Sequence, residues 1–194
     1  STVTGSTGAV TYSYSGVSPT VYSASSTAPT NVGTYELIAS VAADANYNAA
    51  TSAALAFSIT KADQTITFGA LSTLTYSPSG TSNLSASSSS SLTVTYSSSN
   101  TAVATVSGST LSIISAGSTT ITASQAGNDN YNAATSVTQS LTVSKANSSI
   151  TATGSSSFTY TGSAQGPATS TVTGSTGAVT YSYSGVSPTV YSAS

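Results

Sequence analysis

The side chains able to do chemistry are few, and two short clusters hold most of them. Asp44, Asn46 and Asn48 stand at alternate positions around Tyr47. Asp129, Asn130 and Asn132 gather in the same way around Tyr131. Oxygen-bearing side chains at this spacing are candidate calcium ligands, because calcium takes roughly six to eight oxygens, several of them from carboxylates. They are weak candidates: each cluster offers one carboxylate and lacks the glycine of an EF-hand loop. The competing reading is an Asx-capped turn. Its side chains bond nearby backbone, and its tyrosine plugs the end of a β-sandwich. On that reading Tyr47 and Tyr131 are equivalent, with mostly buried rings.

Nothing else assembles into a reaction centre. There is no His and no Cys, and the carboxylates Glu36, Asp44, Asp63 and Asp129 are scattered. A Ser or Thr nucleophile needs a base, and only Lys61 and Lys145 could serve. The chain therefore reads as a non-enzyme, with no catalytic set and no cofactor. A Lys–Asn isopeptide bond at Lys61 or Lys145 would need a buried lysine beside an acid, and acids are too sparse. Thr-x-Thr triplets such as Thr65-Ile66-Thr67 and Thr93-Val94-Thr95 do not form the ranked array of an ice-binding face. Two cations and a net charge of −2 argue against nucleic acid, which needs a basic face. Without Cys or Met there is little to oxidise, which suits a long-lived protein outside the cell. No apolar run approaches the length of a membrane span, so no membrane insertion is expected in this segment.

The elements that carry these clusters read as strands throughout. Val10, Tyr12 and Tyr14 alternate with small polar residues, as do Tyr35, Leu37, Ala39 and Val41. The same pattern holds for Leu55, Phe57 and Ile59, for Leu92, Val94 and Tyr96, and for Leu111 with Ile113. Strict alternation means one buried face and one solvated face. Gly and Pro breaks recur at the spacing of a sandwich. Ser and Thr make up 82 of the 194 residues and take the outward positions where Lys and Glu usually stand. The five serines Ser87–Ser91 read as a surface loop.

The chain is internally repetitive. Ser1–Ser25 returns letter for letter as Ser170–Ser194, a spacing of 169 residues. Within that period Asn46–Ser52 recurs as Asn130–Ser136, and Lys61-Ala62 as Lys145-Ala146, both at a spacing of 84. The chain thus reads as a window on a tandem array. Residues 1–62 are the C-terminal part of one module, 63–146 a complete module, and 147–194 the N-terminal part of the next. The two copies of the 25-residue stretch are expected to take the same strands if the missing half of each module is supplied, that half lying in an adjacent copy. Different strand assignments in the two copies would sink the tandem-array reading.

The run Tyr96-Ser97-Ser98-Ser99-Asn100, followed by Val103-Ala104-Thr105-Val106, Gly108, Leu111, Ala116-Gly117 and Ile121-Thr122, resembles the bacterial group-2 immunoglobulin-like domain. Residues Phe158–Gly162, Asn31–Tyr35, Asn46-Tyr47 and Phe57–Ala62 are similar to MBG-type repeats. These resemblances imply an all-β fold of immunoglobulin-like β-sandwich modules in an elongated array. They also imply a bacterial cell-surface setting, as in the giant repetitive adhesins of gliding or biofilm-forming bacteria. The function implied is a structural stalk or filament segment, whose partners are neighbouring repeats or lateral copies. The alternative is a glycan- or protein-binding module, for which an exposed Tyr12-Tyr14-Tyr22 cluster would speak.

Overall fold

The computed structural model describes residues 2–185, and the chain is all-β, as expected: the described residues form strands and no helix. The centre is a sandwich. Strands β9 (Thr95–Ser98), β12 (Gly117–Ser124) and β13 (Val137–Ser144) make an antiparallel sheet, extended in parallel by β6 (Leu74–Thr75). Against it lie the pair β5 (Ile66–Phe68) and β8 (Ala86–Ser88), and the sheet of β7 (Thr81–Asn83), β10 (Ala104–Ser107) and β11 (Thr110–Ile113). The alternating apolar residues meet between the layers. Leu111, Ile121 and Leu141 are fully buried, joined by Ile66, Phe68, Leu84, Ile113, Ala123 and Val143. Both Val103 and Ala104 are buried, because Val103 sits in the turn ahead of β10 and is not bound by strand alternation. Gly117 is required here: a Cβ on it would come within 2.8 Å of the Val103 side chain.

Buried polar groups are handled without charge. Thr119 Oγ1 accepts the Asn100 N–H at 2.9 Å and shares a hydroxyl bond with Ser98 at 2.8 Å, so its burial leaves nothing unpaired. The five-serine run differs from expectation. Ser87 and Ser88 belong to β8, and only the following residues turn. Strand β8 pairs with β5, and Ser89 N–H reaches the Thr65 carbonyl at 3.0 Å. The partner strand therefore outweighs the loop-like composition.

On the N-terminal side, β1 (Val10–Gly16), β2 (Gly33–Val41), β3 (Ala50–Thr51) and β4 (Leu55–Ile59) form one antiparallel sheet. Its apolar side carries an aromatic group. Tyr35 stacks on Phe57 at 5.5 Å, Tyr14 meets Phe57 edge-on at 6.3 Å, and Tyr22 meets Tyr35 edge-on at 5.8 Å. On the C-terminal side, β14 (Ser149–Thr153) pairs with β15 (Thr169–Thr173).

The 84-residue spacing relates the registers of three of these pairings, β1–β2 to β9–β12, β2–β4 to β12–β13, and β5–β8 to β14–β15. Leu37 faces Tyr14 and Leu55; their counterparts hold the same register, with Ile121 facing Ser98 and Gln139. Ile66 faces Ser88 in β5–β8, and Ile150 faces Val172 in β14–β15.

The duplicated stretch behaves otherwise than expected. Val10–Gly16 is a strand, but its second copy, as far as residue 185, is not; Thr169–Thr173 is a strand, but Thr2–Thr4 is not. Residues 186–194 lie outside the described range. The reason is partnership. Strand β1 forms on β2, which follows only the first copy. Strand β15 forms on β14, which precedes only the second. A strand without a ladder partner has nowhere to place its backbone hydrogen bonds.

Candidate functional site

The two Asx clusters fold into the same turn. In the central sandwich Asn128 Oδ1 accepts the N–H groups of Asn130 and Tyr131, both at 2.9 Å, while Asn128 N–H donates to the Tyr131 carbonyl at 3.1 Å. In the N-terminal sheet Asp44 Oδ1 accepts from Asn46 and Tyr47, both at 2.9 Å, and Asp44 N–H donates to Tyr47 at 2.9 Å. Asp44 does more than Asn128. Its Oδ2 also accepts the Thr7 N–H at 2.7 Å and the Ser6 hydroxyl at 2.9 Å. Donation from the Asn46 backbone, then from Thr7, Ser6 and Tyr47, holds its carboxyl below the usual carboxylate range.

Of the candidate ligand residues, Asp44, Asn46 and Asn48 share one turn, and Asp129, Asn130 and Asn132 share the other. Asp129 is exposed, Asn130 points into a neighbouring segment, and Asn132 Nδ2 donates to Asp63 Oδ1 at 2.8 Å. Among the described residues no three Asp, Glu, His or Cys side chains come together. What these side chains build is a capped turn.

The tyrosines correct an expectation. Tyr47 and Tyr131 are equivalent in backbone geometry, and Tyr131 is mostly buried as expected, but Tyr47 is 50% exposed. The difference between them has a cause. Ala62 forms a parallel bridge with Tyr131, laying the chain beside that turn. Tyr47 has no bridge of this kind.

That bridge belongs to a joint, which is the most developed polar site in the molecule. Ala62 N–H donates to the Asn130 carbonyl at 3.0 Å, and Asn132 N–H returns a bond to the Ala62 carbonyl at 2.9 Å. The Asn130 side chain crosses to the N-terminal sheet: its Oδ1 accepts the Val32 N–H at 2.9 Å, and its Nδ2 donates to Asn31 Oδ1 at 3.1 Å. Lys61 Nζ donates to the Asn128 carbonyl at 2.7 Å. Lys61 is exposed and bonded to backbone, far from the buried environment an isopeptide needs.

Next along, Gln64 is 6% exposed and acts as a hub. Its Nε2 donates to the Asn132 carbonyl at 2.6 Å and to Gln125, while its Oε1 accepts from Ser88 at 2.7 Å and from Ser90. Sequence reading singled out Lys61, Asn130 and Asn132 but missed Asn31, Gln64 and Gln125. A signal was available: an amide at Gln64, two residues after Lys61-Ala62 and ahead of an apolar alternation, sits where Ser148 stands in the next copy.

The tyrosines Tyr12, Tyr14 and Tyr22 do not form an exposed group. Tyr12 is 40% exposed, whereas Tyr14 and Tyr22 are partly buried in the aromatic group.

No protein-family model matches the sequence, and no curated protein matches it. Among solved structures, the chain is similar to the C-terminal 282-residue fragment of intimin, crystallised with the intimin-binding domain of the translocated intimin receptor. The identity is 21%, the match covers 73% of this chain and 52% of that one, and the TM-score is 0.27. This chain thus matches about half the length of that fragment, and a superposition so loose carries no argument about function.

Proposed function

We propose that this chain is a section of a structural stalk or filament in a repetitive bacterial cell-surface adhesin. On this reading residues 1–62, 63–146 and 147–194 are parts of successive modules. The observation that carries it is the joint. Lys61-Ala62 leaves the N-terminal sheet and enters the central sandwich with no slack linker. The turn of the second unit is hydrogen-bonded back onto Asn31, Val32 and Lys61 of the first. A joint of this kind limits bending between neighbours, and repetition of it passes tension along a chain. The register that recurs every 84 residues supports it, although the unequal strands of the duplicated stretch do not.

The near absence of charge fits the same role: exposed Ser and Thr keep the surface wet, and few lysines guard the sheet edges. Lateral contact with other copies is then open to such edges. The test is small-angle scattering on three consecutive repeats. With strands of about ten residues at ~3.3 Å per residue, the expected length is on the order of 70–90 Å per repeat. A compact globule would overturn the stalk.

A further inference from the structure

The joint at Lys61–Gln64 is closed. Both of its halves occur again at the 84-residue spacing, and there both are open. One half lies at the end of the central sandwich. Ser115 and Ala116 are the counterparts of Asn31 and Val32, and Lys145-Ala146 of Lys61-Ala62. These four residues line one cavity of about 460 Å³. The other half is the turn Asp44–Asn48. Beside it runs a groove of about 390 Å³, lined in part by Val3, Val41, Tyr47 and Asn48. In the closed joint, the backbone beside Tyr131 and Asn132 is covered by Ala62 and Gln64.

We infer that the turn Asp44–Asn48 of one copy of this sequence seats on Ser115, Ala116 and Lys145 of another, whose segment Ala146–Ile150 fills the groove beside Tyr47. The inference rests on the tandem reading for the supply of a second copy, and on the closed joint for its geometry. Asn46 takes the place of Asn130 and accepts the Ala116 N–H. Lys145 donates to the Asp44 carbonyl, as Lys61 does to Asn128. Ala146 exchanges backbone bonds with Asn46 and Asn48.

The residues that differ between the two joints differ together. The closed joint buries Gln64 among Ser88, Ser90 and Gln125. The open one has Ser148 for Gln64, Val172 for Ser88 and Val41 for Gln125. A glutamine buried against Val172 and Val41 would lose its partners, at the cost of an unsatisfied amide. Ser148 is small enough to leave those valines an apolar neighbour in Ile150. The bridging residues are kept: Lys, Ala, Asn, Tyr and Asn recur at their places. A surface that stays in water has no need of so matched an exchange.

Because the chain has no Cys, introduced pairs report cleanly. Asn31→Cys with Asn130→Cys is the reference, placed on side chains 3.1 Å apart, and it should close within one chain. Asn46→Cys with Ser115→Cys probes the open halves. Concentrated full-length chain should give a ladder of disulfide-linked oligomers at least about tenfold faster than Asn46→Cys with Ser107→Cys, because docking raises the effective thiol concentration. In the trapped ladder the Asn48 amide should exchange as slowly as that of Asn132. A ladder no faster than the Ser107 pair, or an Asn48 amide that stays fast in the ladder, overturns the joint. A rod-shaped array with a fast Asn48 amide keeps the stalk and loses this joint. Trapping by a chain whose repeats form a globule keeps the joint and loses the stalk.

Discussion

The central sandwich and the N-terminal sheet share strand registers at the 84-residue spacing, yet they bury their matching residues to different depths. Ile121 is fully buried, while Leu37, its counterpart with the same neighbours in register, is only partly so. Pairing within a sheet is local: it needs an alternating strand and a partner next to it. Burial needs a second layer. In the centre β5 packs across β12 and β13. The strands that match β5 and β8 are β14 and β15, which pair with each other, and there Ile150 is left 58% exposed. Two regions can thus agree in the registers of β1–β2–β4 and β9–β12–β13 and still differ in how much of the hydrophobic effect they collect.

The largest effect that would test this contrast is in the core. Ile121→Ala should cost about 3–4 kcal/mol, as expected for a fully buried aliphatic side chain. Leu37→Ala should cost about half as much, since its side chain keeps contact with water. Denaturant unfolding followed by separate probes in each region checks this. Equal losses would mean that the N-terminal sheet has a second layer after all.

A smaller contrast lies in the turns. Tyr131→Ala should cost about 1–3 kcal/mol, less than a fully buried aromatic and more than an exposed one. Tyr47→Ala should stay near 1 kcal/mol or below, because the residue is already half exposed to water. If Tyr47→Ala is the more damaging, the joint at Ala62 is not what distinguishes the two rings.

The smallest effect is a matter of pH, and it separates the turns by chemistry alone. Asp44 and Asn128 cap in the same way, but only Asp44 titrates. Its folded-state pKa is depressed, so its contribution is complete above the ordinary carboxylate value. That contribution is lost as the pH falls through the lower folded value. Acid should therefore loosen the Ser6–Thr7 tether and the Asp44 turn first, leaving the Asn128 turn intact. Amide exchange at Thr7, Asn46 and Tyr47 between neutral and strongly acid pH reads this, and Asp44→Asn should flatten the profile at Asn46 and Tyr47. Parallel loosening at Asn130 and Tyr131 would assign the acid response to the whole fold.

Much of this was legible in the residues alone. The all-β class followed from period-two alternation, because a strand must send successive side chains to opposite faces. The Asx turns followed from short side chains with a carbonyl oxygen ahead of a tyrosine. The spacing of 84 residues was plain from identity at Asn46–Ser52 and Asn130–Ser136, and the strand registers obey it. Tertiary structure decided what depends on company. Val10–Gly16 is a strand and its second copy, as far as it is described, is not, because only the first has β2 beside it. Tyr47 is half exposed where its counterpart Tyr131 is mostly covered. Gln64 became a buried hub because a chain segment 61 residues away brought Gln125 to it. Local sequence specifies which conformation a segment favours, but hydrogen-bond partners and covering layers come from elsewhere in the chain, and they determine whether that preference is realised.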